Sequence, residues 1–267
     1  MPTSYSDLSL YRQCPRLFGF RKLGYTPPTV SEPLQTGTFV HAGIAAHFRG
    51  QDPHEIVDDL YHSMADQYDL ASDEIKDLMK AHTRYKDLLA RYLKSWVGDY
   101  KATLIEPELE LDGVVCHPDL IGFYQTNRVI VDYKTSYHPD DRWYDMSGQA
   151  DLYAYIIRQK AMKIDSSVDL IIYDVISEEG IYRHIRPPRL TAGKRLFRSI
   201  QKLNEDCEWV SEADKDFHIQ TAFLANPHPD YTCPSRCHFF TPCWLLDTDS
   251  LEAVQDYLSE NFIKKER

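Results

Sequence analysis

Along this chain the spacing of apolar and polar positions is helical at first and turns strand-like near residue 102. Ser4 or Ser6 suits the N-cap of a short first helix reaching about residue 13, which the backbone restriction before Pro15 ends. Pro27, Pro28 and Pro33 make residues 23–35 loop-like. Helices are predicted over about 35–48, 53–68 and 72–97. In the last of these Leu78, Tyr85, Leu88, Leu89, Tyr92 and Trp96 recur at mixed three- and four-residue spacing. Residues 103–111, 113–124 and 128–134 read as consecutive strands with short connections. A helix over 141–162 and strands over 168–176 and 181–185 follow, the strands joined at Glu178-Glu179-Gly180. Residues 190–213 and 249–263 read as helices on either side of a cysteine-bearing loop. The order predicts a mixed α/β domain with a helical insertion at about 50–100. No linker is visible, so a single domain over 1–267 is expected.

Composition narrows the class. A chain of 267 residues with 43% hydrophobic, 27% charged and 12% aromatic residues can bury a core without staples and is globular. No apolar run approaches the roughly 18 residues of a membrane span. The start, MPTSYSDLSLYRQCPR, has no apolar signal core, so a cytoplasmic location is expected. A net charge of −11 excludes a protein that coats nucleic acid through bulk charge. Any DNA contact must then use a local basic surface. Between Glu179 and Glu205 there is no acidic residue, while Arg183, Arg186, Arg189, Lys194, Arg195, Arg198 and Lys202 all fall there. Without a counter-charge they would form a DNA-facing surface, the alternative being a solvated helix face. Arg12, Arg16, Arg21 and Lys22 make a second basic stretch beside Cys14.

The sharpest chemistry lies at His117-Pro118-Asp119 and Asp132-Tyr133-Lys134. On a strand, Asp132 and Lys134 share a face, and Tyr133 points the other way with Val129 and Val131. A hairpin turn centred between Gln125 and Thr126 sets Asp119 opposite Asp132, with side chains starting about 4.5–5.5 Å apart. Two carboxylates so close repel unless a cation lies between them, and hard oxygen ligands suit Mg²⁺ or Mn²⁺. Lys134 would then orient an attacking water or steady charge developing on a phosphate. A solvated surface hairpin is the competing reading. It is disfavoured because Val129, Ile130 and Val131 lead straight into Asp132 and mark a central strand.

Of the six cysteines, Cys233, Cys237 and Cys243 cluster as C-x3-C-x5-C. Soft thiolates at this spacing suit zinc or an iron–sulfur cluster, and either needs a fourth ligand. Cys14, Cys116, Cys207, His228 and His238 are available. Cys116 and Cys207 read better as small buried hydrophobes.

Pro118-Asp119 with Asp132-Tyr133-Lys134 resembles the PD-(D/E)XK nuclease superfamily, and specifically its RecB-type branch, which includes CRISPR-associated exonucleases. Gly37-x-x-x-His41 resembles that branch's metal-binding histidine motif, and Gln149-x-x-x-Tyr153 its motif on the helix after the core strands. Ser4-Tyr-Ser-x-Leu8-x-x-Tyr11-x-x-Cys14-Pro15, with the cysteine triplet, resembles its split set for a [4Fe–4S] cluster. The resemblance implies a restriction-endonuclease-like mixed sheet flanked by helices. It also implies an iron–sulfur staple joining segments at about 1–22 and 226–245. His41, Asp119, Asp132 and the Tyr133 carbonyl become ligands of Mg²⁺ or Mn²⁺, Lys134 the catalytic lysine, and Gln149 and Tyr153 its neighbours. Cys14, Cys233, Cys237 and Cys243 become the cluster ligands, with zinc as the alternative. Cys116 stands where the branch often has glycine, the acidic residue that follows the motif histidine has no evident counterpart, and C-x3-C replaces the more usual C-x2-C. The expected activity is metal-dependent, exonuclease-type hydrolysis of single-stranded DNA or duplex ends, in recombination, repair or phage DNA processing. A recombination or replication protein would be a partner, and no membrane is involved. The alternatives are a non-cleaving DNA-end-binding protein of the same fold and a zinc-stabilised interaction module.

Overall fold

The computed structural model describes residues 2–27, 31–66, 73–136, 141–160, 167–212, 237–248 and 251–264. They fall into two compact units. The larger comprises Val30–Leu111 and Val115–Phe197, the smaller Met1–Thr29, Asp112–Val114 and Arg198–Arg267. Each draws on separated stretches of chain, so no single linker marks the division. Among the described residues no helix is long and apolar enough to cross a membrane.

In the smaller unit α1 (Tyr5–Gln13) starts at a capping box. Ser4 Oγ accepts from the Asp7 N–H, while Asp7 Oδ2 accepts from the Ser4 N–H at 3.0 Å. Pro15 does end this helix, but it also begins α2 (Pro15–Lys22) from the first helical position, where its missing N–H costs nothing. β1 (Tyr25–Thr26) follows.

The larger unit opens with α3 (Glu32–Phe48), α4 (Pro53–Ala65) and α5 (Asp73–Ser95). Its strands are β2 (Tyr100–Ile105), β5 (Leu120–Tyr124), β6 (Asn127–Thr135), β7 (Leu170–Ile176) and β8 (Ile181–Arg186). They make one mixed sheet in the order β2-β5-β6-β7-β8. β6 and β7 are parallel and the other pairs antiparallel. The long strands predicted at 103–111 and 113–124 are cut short. Glu106 (φ 47°) and Asp112 (φ 46°) turn the chain, leaving β3 (Leu109–Leu111) and β4 (Val114–Cys116) as separate pieces. The single helix expected at 141–162 is two, α6 (Asp141–Met146) and α7 (Gln149–Lys160), broken at Ser147-Gly148. α8 (Leu190–Glu212) follows β8.

One sheet face packs on α3 and α5. Val129, Val131 and Tyr133 of β6 meet Phe39, Ile44, Leu78, Tyr85, Leu89 and Tyr92 in a single buried cluster. The stretch expected as an insertion is therefore one wall of the main core. A carboxylate is buried in it. Asp174 of β7 is fully enclosed and accepts from Arg183 Nε at 2.7 Å, Tyr100 OH at 2.7 Å and Tyr92 OH at 3.0 Å. The Arg183 guanidinium also pairs with Asp99 at 2.7 Å and lies over the rings of Trp96, Tyr100 and Tyr124. It is thus a core residue with counter-charges drawn from distant sequence, which corrects its expected place on an open DNA face.

The smaller unit closes with α9 (Phe240–Thr248), α10 (Leu251–Asn261) and β9 (Ile263–Lys264). α9 occupies part of what was expected as loop and carries Cys243. β1 pairs with β9, and Phe20 stacks on Phe239 with centroids 5.0 Å apart. Phe20, Tyr25, Leu246, Val254 and Leu258 share that core, against which Cys237 and Cys243 pack. Ordinary pairing and apolar burial therefore already join the chain's early and late segments.

Candidate active site

β5 and β6 pair from Leu120↔Val131 to Tyr124↔Asn127, closing on a two-residue turn at Gln125-Thr126 with Gln125 at φ 54°. This is the register the sequence predicts. Asp119 stands one residue before the ladder, and its Oδ2 accepts from the Tyr133 N–H at 2.7 Å. Asp132 and Lys134 project together on one face, with Nζ to Oδ2 at 2.6 Å. Asp132 Oδ2 is buried, and the Lys134 ammonium is the group that compensates it. Across the parallel strand pair, Tyr173 and Val175 of β7 stand beside Asp132 and Lys134.

His41 reaches the site from α3, Nδ1 lying 3.3 Å from Asp119 Oδ1, and its ring meets Tyr133 edge-on at 5.9 Å. Gly37, one turn earlier, permits this approach: a Cβ there would fall 2.9 Å from Thr135 Oγ1. From the other face α7 brings Gln149, whose Oε1 accepts from Lys134 Nζ at 3.4 Å and whose Nε2 donates to Tyr153 OH at 2.6 Å. The helical i, i+4 spacing sets this second contact. His41, Asp119, Asp132, Lys134, Gln149 and Tyr153 are thus linked by successive contacts, and a cleft of about 760 Å³ opens beside them. His41, Tyr133, Lys134, Thr135, Arg49 and Glu106 line it. Arg49 and Glu106, paired at 2.8 Å, were not singled out in the sequence, where nothing local couples them.

The electrostatics follow from two carboxylates sharing a half-enclosed space. Burial raises the Asp132 carboxyl above its ordinary value against the pull of Lys134, and Asp119 adds to the rise. Burial pulls Lys134 and His41 down, but the surrounding groups, chiefly Asp132 at the lysine and Asp119 at the histidine, together outweigh it, so both are raised. Burial also raises Tyr153, keeping it a neutral hydroxyl. A site that pulls protons and cations towards itself suits a positive ligand.

Among the described residues, no three His, Cys, Asp or Glu side chains come together as a ready-made metal group. Asp119 is engaged by the Tyr133 amide and His41, and Asp132 is held by Lys134. The donor chemistry nonetheless fits a hard divalent ion. Two carboxylates and an imidazole, Asp119, Asp132 and His41, lie near enough to act on one another electrostatically, and they are the hard oxygen and nitrogen donors such an ion takes.

The basic window 183–202 divides. Arg183, Arg186 and Arg189 have carboxylate partners, the last two in Asp151 at 2.7 Å each, so the expectation of seven cations without counter-charge is corrected. Those carboxylates lie outside the window, where a local charge count misses them. Lys194, Arg195, Arg198 and Lys202 are exposed, at spacings that share one face of α8.

Of the cluster cysteines, Cys14 lies between α1 and α2, Cys237 precedes α9 and Cys243 lies within it; Cys233 lies outside the described residues. Arg16 Nη1 donates to the Cys243 carbonyl at 3.1 Å and to its Sγ at 3.3 Å. Burial pushes the Cys116 thiol up to about 12 and Cys207 up to about 11.

A crystal structure of a candidate exonuclease from Eubacterium rectale shares the fold. Its TM-score is 0.53 at 12% identity, covering 87% of this chain and 92% of that one. The structure of SSO0001 covers 67% of this chain and 84% of that one at 13% identity, with a TM-score of 0.27, too low to bear on the fold. No curated protein matches the sequence. The sequence profile of the PD-(D/E)XK nuclease superfamily matches residues 2–243, a span that includes the hairpin and every residue linked around it, and the chain belongs to that superfamily.

Proposed function

We propose that the protein is a Mg²⁺- or Mn²⁺-dependent deoxyribonuclease acting exonucleolytically on single-stranded DNA or duplex ends, in recombination, repair or phage DNA processing. The observation that carries this reading is the intact constellation of Asp119, Asp132 and Lys134 on one register-matched hairpin, with His41 and Gln149 in contact. His41, Asp119, Asp132 and the Tyr133 carbonyl would hold the ion. Bound there, it would acidify a water and neutralise charge on the scissile phosphate. Lys134 orients the attacking water, while Gln149, itself backed by Tyr153, fixes the lysine. Linear end-labelled DNA should be degraded and closed circular DNA of the same sequence spared. Cleavage of the circle would refute the exonuclease mode.

Binding would use the exposed face of α8. Replacing Arg195 and Arg198 together with glutamine should weaken DNA binding and reduce the log–log salt slope by about 1.4 on single strands and about 1.8 on duplex. An unchanged slope would remove this face from the interface.

Cys14, Cys233, Cys237 and Cys243 would hold a structural [4Fe–4S] cluster, zinc being the alternative metal. The half-buried cysteines 14, 237 and 243 belong to one compact unit, and in it the Arg16 guanidinium donates to Cys243 Sγ. Purified protein should be brown and lose its colour on Cys14→Ser. A colourless protein with stoichiometric zinc would replace iron, and one with neither metal would remove the site.

A further inference from the structure

Asp151 is fully buried in the first turn of α7, two residues after Gln149. A carboxylate in that position must be compensated, and five contacts do so. Arg186 donates through Nη1 at 2.7 Å and Nη2 at 3.2 Å. Arg189 donates through its backbone N–H at 2.7 Å, Nε at 2.9 Å and Nη2 at 2.7 Å. The same guanidiniums reach back across the helix break: both Nη2 groups donate to the Ser147 carbonyl at 2.8 Å, and Arg186 Nε to the Tyr144 carbonyl at 3.1 Å. Between the two arginines stand Pro187 and Pro188, whose fixed φ angles hold them at a set separation. α8 closes over the assembly at Gly193, where a Cβ would run into the Asp151 carbonyl oxygen.

These contacts fix the last turn of α6, the break and the first turn of α7 relative to β8. Gln149 is the first residue beyond the break, and its amide touches Lys134. We infer that Asp151, Arg186 and Arg189 are positioning residues that set Gln149 against Lys134, and that Arg186 and Arg189 serve this clamp rather than contact DNA. The clamp is a property of the fold; only its consequence for turnover rests on the nuclease reading above.

Arg189, with 41% of its side chain exposed, can be truncated without opening the core. Arg189→Ala should lower kcat on the order of tenfold, by misplacing a group at the reacting centre, and leave KM unchanged. DNA affinity in Ca²⁺ and its salt slope should also stay unchanged. Gln149→Ala should show a comparable loss, and the double variant should be no slower than Gln149→Ala alone. Weaker binding with a flatter salt slope at unchanged kcat would make Arg189 a phosphate contact and overturn the inference, as would losses that multiply in the double variant. A second readout is independent of cleavage. The rate at which Lys134 is acylated by acetic anhydride, followed by peptide mass spectrometry, should rise in both Gln149→Ala and Arg189→Ala. Unchanged Lys134 labelling in Arg189→Ala would overturn the clamp even in an active enzyme. An inactive wild type with the predicted labelling would instead refute the nuclease reading alone.

Gly193→Ala tests the seat of the clamp. The added methyl meets backbone, which cannot rotate away, so a clear fall in the urea unfolding midpoint is expected. A neutral result would show that α8 does not press on α7 as described.

Discussion

Asp132→Ala is expected to reduce DNA cleavage by about a thousandfold or more while leaving DNA affinity within a small factor of the wild type. Asp132 is only 3% exposed, too deep to be a principal DNA contact, and its Oδ2 is paired with the Lys134 ammonium. Its removal takes away one proposed metal ligand and the counter-charge of Lys134, so ion and lysine both lose their place. The strand should survive, because Val129, Ile130 and Val131 still fill the core and the β6–β7 ladder is made by backbone. Cleavage measured at saturating DNA and binding measured by anisotropy in Ca²⁺ separate the two effects. Equal loss of both would mean that Asp132 supports the fold rather than the reaction.

Asp174→Ala is expected to cost about 3–5 kcal/mol of stability, a large share of the 5–15 kcal/mol typical of a domain. The substitution leaves the Arg183 guanidinium, whose side chain is 9% exposed, with only the half-exposed Asp99 as counter-charge, and takes from the Tyr92 and Tyr100 hydroxyls the carboxylate they donate to. The penalty comes from the poorly compensated charge more than from the lost attraction. Replacing both members with apolar residues of similar volume, as in Asp174→Leu with Arg183→Met, should therefore recover much of it. Urea unfolding of the two variants measures this. A single-variant loss below about 1 kcal/mol would show that water reaches Arg183 and that the network contributes little.

The parts of the fold that could be read in the sequence are those governed by local rules. The hairpin register followed from the turn centre alone, because a one-residue slip would have turned Val129 and Val131 out of the core. The amphipathic spacing of α5 likewise predicted its buried face. Pro15 shows the limit of such rules, since the same residue can end one helix and begin the next. The charged window failed for another reason. Arg183 finds Asp174 across a strand pair and Asp99 from the short 3-10 turn before β2, and Arg186 finds Asp151 from a helix. Sequence separation hides such pairings. A usable signal was present in both cases: a carboxylate inside the apolar run of β7, and another on the buried side of α7, each require a cation. At the candidate site, the motif residues were legible and their contacts with one another were not. The approach of His41 to Asp119 depends on Gly37 letting α3 lie against the end of β6.

The most direct test is incubation of purified wild-type protein with end-labelled DNA in Mg²⁺ or Mn²⁺, then with excess chelator, and again after the metal is restored. Cleavage that needs the ion, stops with the chelator and resumes on restoring it is the predicted result. Cleavage that persists in chelator, or DNA that is bound but never cut in any divalent metal, would contradict the account.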